Sequence, residues 1–201
     1  MGIGSRLLPP CTHKLSRWFL LGYVHVYTGN GKGKTTCAVG LAVRALGAGK
    51  RVAFLQFDKG FEGKNEHYHE RAILRQLDGI DLHFYGMERM MPDGKFRFAN
   101  MPDDFEQAKK GLAAARDLIR SGGHFLVVCD EAVTCVSTKL ISEDDLLDLV
   151  RVAREEGECE LVLTGRGAFD RLVEVADLVS EVKLVKHYFY QGVPARVGIE
   201  Y

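Results

Sequence analysis

The sequence predicts an α/β fold, a mostly parallel β-sheet with helices on both faces. Three observations carry this. From Tyr23 onward, short apolar or β-branched runs alternate with helix-patterned segments, which implies parallel strands joined by crossover helices. A glycine-rich stretch, Thr28-Gly29-Asn30-Gly31-Lys32-Gly33-Lys34-Thr35-Thr36, falls between the first strand and the first helix. Later, the apolar run Phe125 to Cys129 leads directly into two carboxylates, Asp130 and Glu131. The last two features make the predicted sheet P-loop NTPase-like.

Each element follows from local pattern. Tyr23 to Tyr27 is β-branched and aromatic and reads as a strand. Thr35 to Ala48 is rich in Ala, Val and Leu, with Leu41, Ala45 and Ala48 near helical spacing, and Gly47 and Gly49 end it. Arg51 to Phe57 predicts a strand, Glu66 to Leu77 a helix and Ile80 to Tyr85 a strand. Residues 86–101 carry Gly86, Pro92, Asp93 and Gly94 and read as irregular. Pro102 opens a long helix over Asp103 to Arg120, closed by Gly122-Gly123. Phe125 to Cys129 is a buried strand. Ser142 is placed to cap a helix running to Glu156, whose first-turn acids Glu143, Asp144 and Asp145 suit the helix dipole. Glu160 to Leu163 is a strand, Phe169 to Ala176 a helix, Leu178 to Leu184 a strand, and a hairpin-like piece ends in Val197 to Tyr201. Residues 1–20 show no clear periodicity. The expected organisation is an N-terminal arm or lid over 1–21 and one domain over 22–201.

Composition bounds the function. With 46% hydrophobic and 27% charged residues, the chain has the makeup of a globular protein rather than a disordered one. The formal net charge is zero, which argues against a nucleic-acid coat or a polybasic membrane binder. The zero hides an asymmetry. Eight Lys and Arg and no Asp or Glu precede Asp58, so the first 57 residues carry +8 and the remainder −8. Lys32 and Lys34 of that group lie in the glycine-rich stretch, and Arg6, Lys14 and Arg17 lie in the arm. The apolar run Trp18 to Tyr27 contains Gly22 and His25 and is about half of the ~20 residues a membrane span requires. Pro9 and Pro10 interrupt any signal-peptide pattern. The five cysteines are odd in number and lack a Cys-x-x-Cys pair, so reduced thiols and a cytoplasmic location are expected.

The glycine-rich stretch has the chemistry of a phosphate cradle. Glycines let backbone N–H groups curl around phosphates, and the following helix adds its free N–H groups and positive dipole end. Lys34 supplies a point charge for phosphate oxygens, and Thr35 or Thr36 a hydroxyl for Mg²⁺. Thr28 stands where the usual pattern has a glycine. Asp130 or Glu131, at a strand's carboxyl end, is placed to hold Mg²⁺ directly or through water. A third feature, Thr164-Gly165-Arg166-Gly167, follows a later strand, and its arginine can reach phosphate, carboxamide or carboxylate groups. Blander readings are a ligand-free glycine turn, a capping acid and an exposed arginine.

Together these residues resemble the P-loop-type cob(I)alamin / cob(I)yrinic acid a,c-diamide (corrinoid) adenosyltransferases. The resemblance runs from about Gly22 to the C-terminus. It rests on Thr28 to Thr36, Gln56-Phe57 with Lys59-Gly60, Asp130-Glu131, Thr164 to Gly167, Ala176 to Glu181, Val185-Lys186-His187 and the Gly198-Ile199-Glu200-Tyr201 ending. It implies attack of a Co(I) corrinoid on C5′ of ATP, formation of a cobalt–carbon bond and release of triphosphate. The implied nucleotide contacts are Gly29, Asn30, Gly31, Lys32, Gly33, Lys34, Thr35, Thr36, Gln56 and Arg166. The implied ligands of Mg²⁺ (or Mn²⁺) are Thr35, Asp130 and Glu131. Co(I) is already a strong nucleophile, so no general base is expected, and Lys34 is the expected stabiliser of the departing triphosphate. The resemblance also implies a homodimer and an electron donor for cobalt reduction, with neither nucleic acid nor membrane as partner.

One region departs from the family pattern. Members often carry a Phe and a Trp two residues apart after the third strand, whereas this chain reads Phe84-Tyr85-Gly86-Met87-Glu88-Arg89-Met90-Met91, with Trp18 as its sole tryptophan. Phe84, Tyr85, Met87, Met90 and Met91 either line an apolar corrin face or pack locally. His67 and His69 are expected on a polar helix or its entry, where positions i and i+2 do not face each other, so a shared metal is not expected. His187 is expected as a structural cap and Cys37 as a buried residue. Two other functions compete. A P-loop kinase or ATPase needs an acceptor site and usually an arginine-rich lid, for which Arg89, Lys95 and Arg97 argue weakly. A non-catalytic corrinoid- or nucleotide-binding carrier or sensor is the other.

Overall fold

The computed structural model describes residues 22–60, 66–89, 91 and 97–201. The expected arm over 1–21, Lys95 and Met90 lie outside the described residues. The chain order is β1 (Val24–Thr28), α1 (Lys34–Gly47), β2 (Val52–Phe57), α2 (Glu70–Leu74), β3 (Ile80–Tyr85), α3 (Pro102–Arg120), β4 (Leu126–Asp130), α4 (Ala132–Ser137), α5 (Glu143–Glu155), β5 (Glu160–Thr164), α6 (Asp170–Val175) and β6 (Leu178–Glu181), followed by a 3-10 turn at Tyr188–Gln191. The strands form one parallel sheet in the order β3-β2-β4-β5-β1-β6.

Helices cover both faces, as the alternating pattern predicts. Ala38, Ala42 and Ala45 of α1 pack on Val52, Phe54, Leu126, Val128 and Val162. These small side chains let α1 lie close to the sheet, which brings its N-terminus to the ends of the strands. The opposite face receives Ala108, Leu112, Ala115 and Ile119 of α3, with Leu146, Leu149 and Ala153 of α5, against Ala53, Leu55, Val127, Cys129, Leu161 and Leu163. Strands buried on both faces are apolar at nearly every position, which explains the unbroken runs at β2 and β4.

The helix starts are chemically specified. The Ser142 hydroxyl accepts from the Asp145 amide at 3.1 Å, while the Asp145 carboxylate accepts from the Ser142 amide at 3.0 Å. Such a cap contributes about 1 kcal/mol. Asp104 plays the reciprocal part at α3, accepting from the Met101 amide at 2.7 Å. Its carboxylate also takes both Arg97 η-nitrogens, at 2.6 and 2.9 Å.

Four expectations are corrected. The helix expected over Glu66 to Leu77 is only Glu70–Leu74, because the Glu66 carboxylate accepts from the Tyr68 amide at 3.1 Å and from Arg71 and Arg75, fixing residues 66–68 outside the helix. The β6 strand stops at Glu181 rather than Leu184, since the Val182 carbonyl turns to accept from the Gly31 amide. The hairpin-like ending is a turn, with the Ile199 and Glu200 amides donating to the Arg196 carbonyl. Cys37 is exposed, one step off the buried Ala38–Ala42 stripe. The α4 helix was not expected. Its sequence, Ala-Val-Thr-Cys-Val-Ser, is a weak helix former, and burial of Ala132, Val133 and Cys135 holds it.

Candidate active site

Parallel register assembles the site. Gln56 pairs with Asp130, and one step beyond the Cys129–Leu163 pair Asp130 stands beside Thr164, which in turn pairs with Tyr27. Four carboxyl ends are thus aligned in one row, next to the loop that follows β1. In open α/β sheets this edge is where ligands bind.

The loop between β1 and α1 is tightly packed underneath. A Cβ on Gly29 or Gly31 would lie 2.5 or 2.7 Å from the Val182 carbonyl oxygen, so only glycine admits the segment after β6. Gly33 leads into α1 with φ of 122°. Thr28 needs no such freedom, and its hydroxyl accepts from the Ala168 amide at 3.2 Å, tying the loop to the turn after β5. That contact gives the non-glycine residue at this position a structural task. Lys34 is buried and folds back, its Nζ donating to the carbonyls of Gly29 and Gly31, each at 2.8 Å. Burial pushes the Lys34 ammonium below its usual pKa, with Glu131 opposing.

Behind the loop lies a dense polar knot. Asp130 is fully buried. It accepts from Thr164 Oγ1 at 2.6 Å, Thr35 Oγ1 at 3.0 Å, Lys59 Nζ at 2.6 Å and Gln56 Nε2 at 3.3 Å. Burial raises the Asp130 pKa, but the Lys59 charge and these hydrogen bonds outweigh it, so the carboxyl is held below its ordinary value. Burial likewise lowers Lys59, and Asp130 with Glu131 outweighs that and raises it. Both partners are therefore charged at neutral pH. Gln56 is oriented in turn by Arg71, whose Nε donates to Gln56 Oε1 at 2.6 Å. Glu131 adopts a left-handed conformation (φ 63°), donates its amide to Thr164 Oγ1 at 3.0 Å and accepts on its carboxylate from the Thr134 hydroxyl.

These groups open onto a cleft of about 960 Å³. Asn30, Gly31, Lys32, Gly33, Lys34, Thr35, Thr36, Glu131 and Arg166 line it. Gln56 and Asp130 sit behind that surface, and Gly29 is turned toward Val182. The opposite walls were not legible as site. They are Lys59, Tyr68, His69 and Glu70 together with Leu184, His187, Phe189, Tyr190 and Gly198 to Tyr201. Lys59 carried a signal, as the second residue past β2's carboxyl end. The C-terminal residues carried none beyond their resemblance. Lys32 Nζ donates to the Ile199 carbonyl and stands 4.0 Å from Glu200. His67 and His69, outside the shortened helix, flank the Tyr201 ring at 6.4 and 6.0 Å rather than pointing apart. His187 caps the 3-10 turn, its Nδ1 accepting from the Phe189 amide at 3.1 Å. Phe84 and Tyr85 pack locally, Phe84 beneath Arg71 at 4.0 Å and Tyr85 beside Phe57 at 6.2 Å, and neither lines the cleft.

Residues 21–201 match the family model described as ATP:corrinoid adenosyltransferase BtuR/CobO/CobP. The chain is similar to the corrinoid adenosyltransferase of Sinorhizobium sp, with 33% identity over 182 residues, covering 90% of this chain and 80% of the relative. It is also similar to the corrinoid adenosyltransferase of Escherichia coli (strain K12), with 31% identity over 180 residues, 90% of this chain and 86% of the relative. The Pseudomonas aeruginosa corrinoid adenosyltransferase is 33% identical over 181 residues, 90% of this chain and 84% of the relative.

Proposed function

Since the chain belongs to the ATP:corrinoid adenosyltransferase family, we propose that it transfers the 5′-deoxyadenosyl group of ATP to the Co(I) centre of a reduced corrinoid, in cobalamin biosynthesis or salvage. The Co(I) electron pair attacks C5′, a Co–C bond forms, the C5′–O bond breaks and triphosphate departs. One observation carries the reading. The glycine loop, Lys34 and Thr35 line a single cleft large enough for nucleotide and part of a macrocycle, with Asp130 bonded to Thr35 directly behind it.

The chain's own work is positioning and charge stabilisation. Lys34 trades its two carbonyl partners for phosphate oxygens, and the free N–H groups at the start of α1 add to it. Arg166, exposed at the rim, is placed to reach the triphosphate or a polar corrin substituent. No side chain is assigned as general base.

Thr35 and Asp130 suit a hard divalent cation such as Mg²⁺ or Mn²⁺. Both are oxygen donors, and they already converge on a positive group, the Lys59 ammonium. Glu131 lines the cleft beside them. When bound, the ion neutralises charge on the departing triphosphate. We further propose a homodimer, an independent electron donor that reduces the corrinoid, a cytoplasmic location, and an organisation into an N-terminal arm or lid over 1–21 and one domain over 22–201. Among the described residues no helix is long and apolar enough to cross a membrane.

The test is an anaerobic assay with ATP, Mg²⁺ and chemically reduced corrinoid. A light-sensitive alkyl-cobalt product with stoichiometric triphosphate is expected. ADP and phosphate would instead mark a kinase or ATPase, and tight corrinoid binding without turnover would mark a carrier.

A further inference from the structure

Lys59 occupies a position that its own loop is built to enforce. Asp58 adopts a left-handed backbone (φ 53°), which few non-glycine residues take and which Asp tolerates. Its amide donates to the Tyr85 carbonyl at 2.7 Å, and its carboxylate accepts from Nε of the buried Arg89 at 2.6 Å. The Lys59 carbonyl accepts from Nη2 of the fully buried Arg71 at 2.6 Å. A Cβ at Gly60 would lie 2.1 Å from the Met87 carbonyl carbon, so the chain is also clamped on its far side. Three consecutive residues are thus fixed by two buried arginines and a close backbone crossing, far more than a surface lysine requires.

The product of this construction is one ammonium on two particular oxygens. Lys59 Nζ is 2.6 Å from Asp130 Oδ2 and 3.0 Å from Thr35 Oγ1. Lys34, bound to loop carbonyls, does not serve Asp130. A buried carboxylate without a contacting cation is costly, so Lys59 supplies the charge that offsets Asp130 and sits against Thr35 before a ligand arrives. A divalent ion bound to these oxygens at about 2.1 Å puts a second, larger positive charge beside the ammonium and repels it. The lysine also has somewhere to go. Its side chain is 12% exposed, lines the cleft, and lies 5.4 Å from the centroid of the Tyr68 ring.

We propose that Lys59 is the resident cation of the phosphate site, holding Thr35 and Asp130 in the nucleotide-free enzyme and surrendering them to the divalent ion as nucleotide binds. It then faces the cleft as a second positive group for the triphosphate. The inference rests on the reading of Thr35 and Asp130 as the metal site.

The experiment titrates the full-length, nucleotide-free protein with Mn²⁺, following free ion by electron paramagnetic resonance. Lys59→Gln is expected to bind Mn²⁺ about tenfold or more tightly than wild type, and the double variant Lys59→Gln/Asp130→Asn to lose that gain. Equal affinity in wild type and Lys59→Gln overturns the proposal. Should the variant not fold, acetylation of Lys59 in the wild type is followed by peptide mass mapping, with exposed Lys50 as reference. Faster acetylation at saturating Mn²⁺ supports the exchange, and an unchanged rate at saturation overturns it. A parallel ATP titration separates the two readings. If ATP binds and Mn²⁺ binds both forms equally, only the lysine's role fails. If Mn²⁺ binds neither form, the metal site itself is refuted along with it.

Discussion

The Gly31 amide donates to the Val182 carbonyl across 2.7 Å, so one N–H of the phosphate loop is spent on the segment that follows β6. The loop is held in shape before any nucleotide arrives, and under the proposed function phosphate recognition falls to Lys34 and the remaining amides. Gly31→Ala places a methyl 2.7 Å from that same carbonyl oxygen. The strain is expected to cost about 1–3 kcal/mol and to weaken ATP binding measurably by calorimetry. Unaltered ATP affinity would show that the loop's shape does not matter for binding.

Lys34→Ala removes the charge at the centre of the loop. Loss of one preorganised group that stabilises developing charge costs about 10²–10³ in rate. A kcat/KM for ATP lowered by that factor, with corrinoid binding retained, is expected in the anaerobic assay. An unchanged kcat/KM would remove Lys34 from the phosphate role.

Arg71 shows what a buried positioning residue is worth. It is fully buried, donates to Gln56 and to the Lys59 carbonyl, pairs with Glu66 at 3.1 Å and lies over Phe84. Arg71→Met leaves those acceptors unsatisfied and is expected to lower stability by about 3–5 kcal/mol. Urea melts check this, and a loss below about 1 kcal/mol would mean the network repacks without it.

Asp104 gives a pH prediction. The Arg97 hydrogen bonds hold its carboxyl below the ordinary 3.8, with burial opposing. A depressed pKa means the unfolded state binds the proton more readily, so the contribution is complete above pH 3.8 and disappears as pH falls through the lower folded value. Asp104→Asn should cost about 2 kcal/mol at pH 7, less than a fully buried pair because Arg97 keeps some solvent contact. It should also flatten the acid limb of the stability profile, and an acid limb identical to wild type would exclude this carboxylate as a contributor.

The tail contact is weaker. Lys32 and Glu200 stand 4.0 Å apart with the lysine 40% exposed, so solvent screens the pair and it contributes little. Glu200→Gln is therefore expected to change ATP affinity by no more than about fivefold. A larger effect in a direct binding titration would show that the tail does more than neutralise Lys32.

Much of this was written in local pattern. The alternation of strands and helices, the helix starts at Ser142 and Pro102, the glycine loop and the strand-end Asp130 all depend on residues close together in the chain. Short-range sterics and hydrogen bonding decide them, so sequence reading found them. The α4 helix was missed because distant packing decides it, through burial of Val133 and Cys135, and the true length of α2 was missed because side-chain bonds from Glu66 to Tyr68, Arg71 and Arg75 override the helical pattern locally. The exposure of Cys37 likewise depends on which stripe of α1 meets the sheet.

By itself the sequence determined that this protein has a parallel sheet, a glycine-rich loop ahead of the first helix, and a family. Tertiary structure alone decided that Lys59 meets Asp130 and Thr35, that Gln56 and Arg71 stand behind them, and that Tyr201 returns to His67 and His69 at the cleft wall. Those partners are separated by up to 134 positions in the chain. Only the in-register packing of parallel strands and the burial of unlike charges together bring them within a few ångströms, and neither leaves a periodic trace in the sequence.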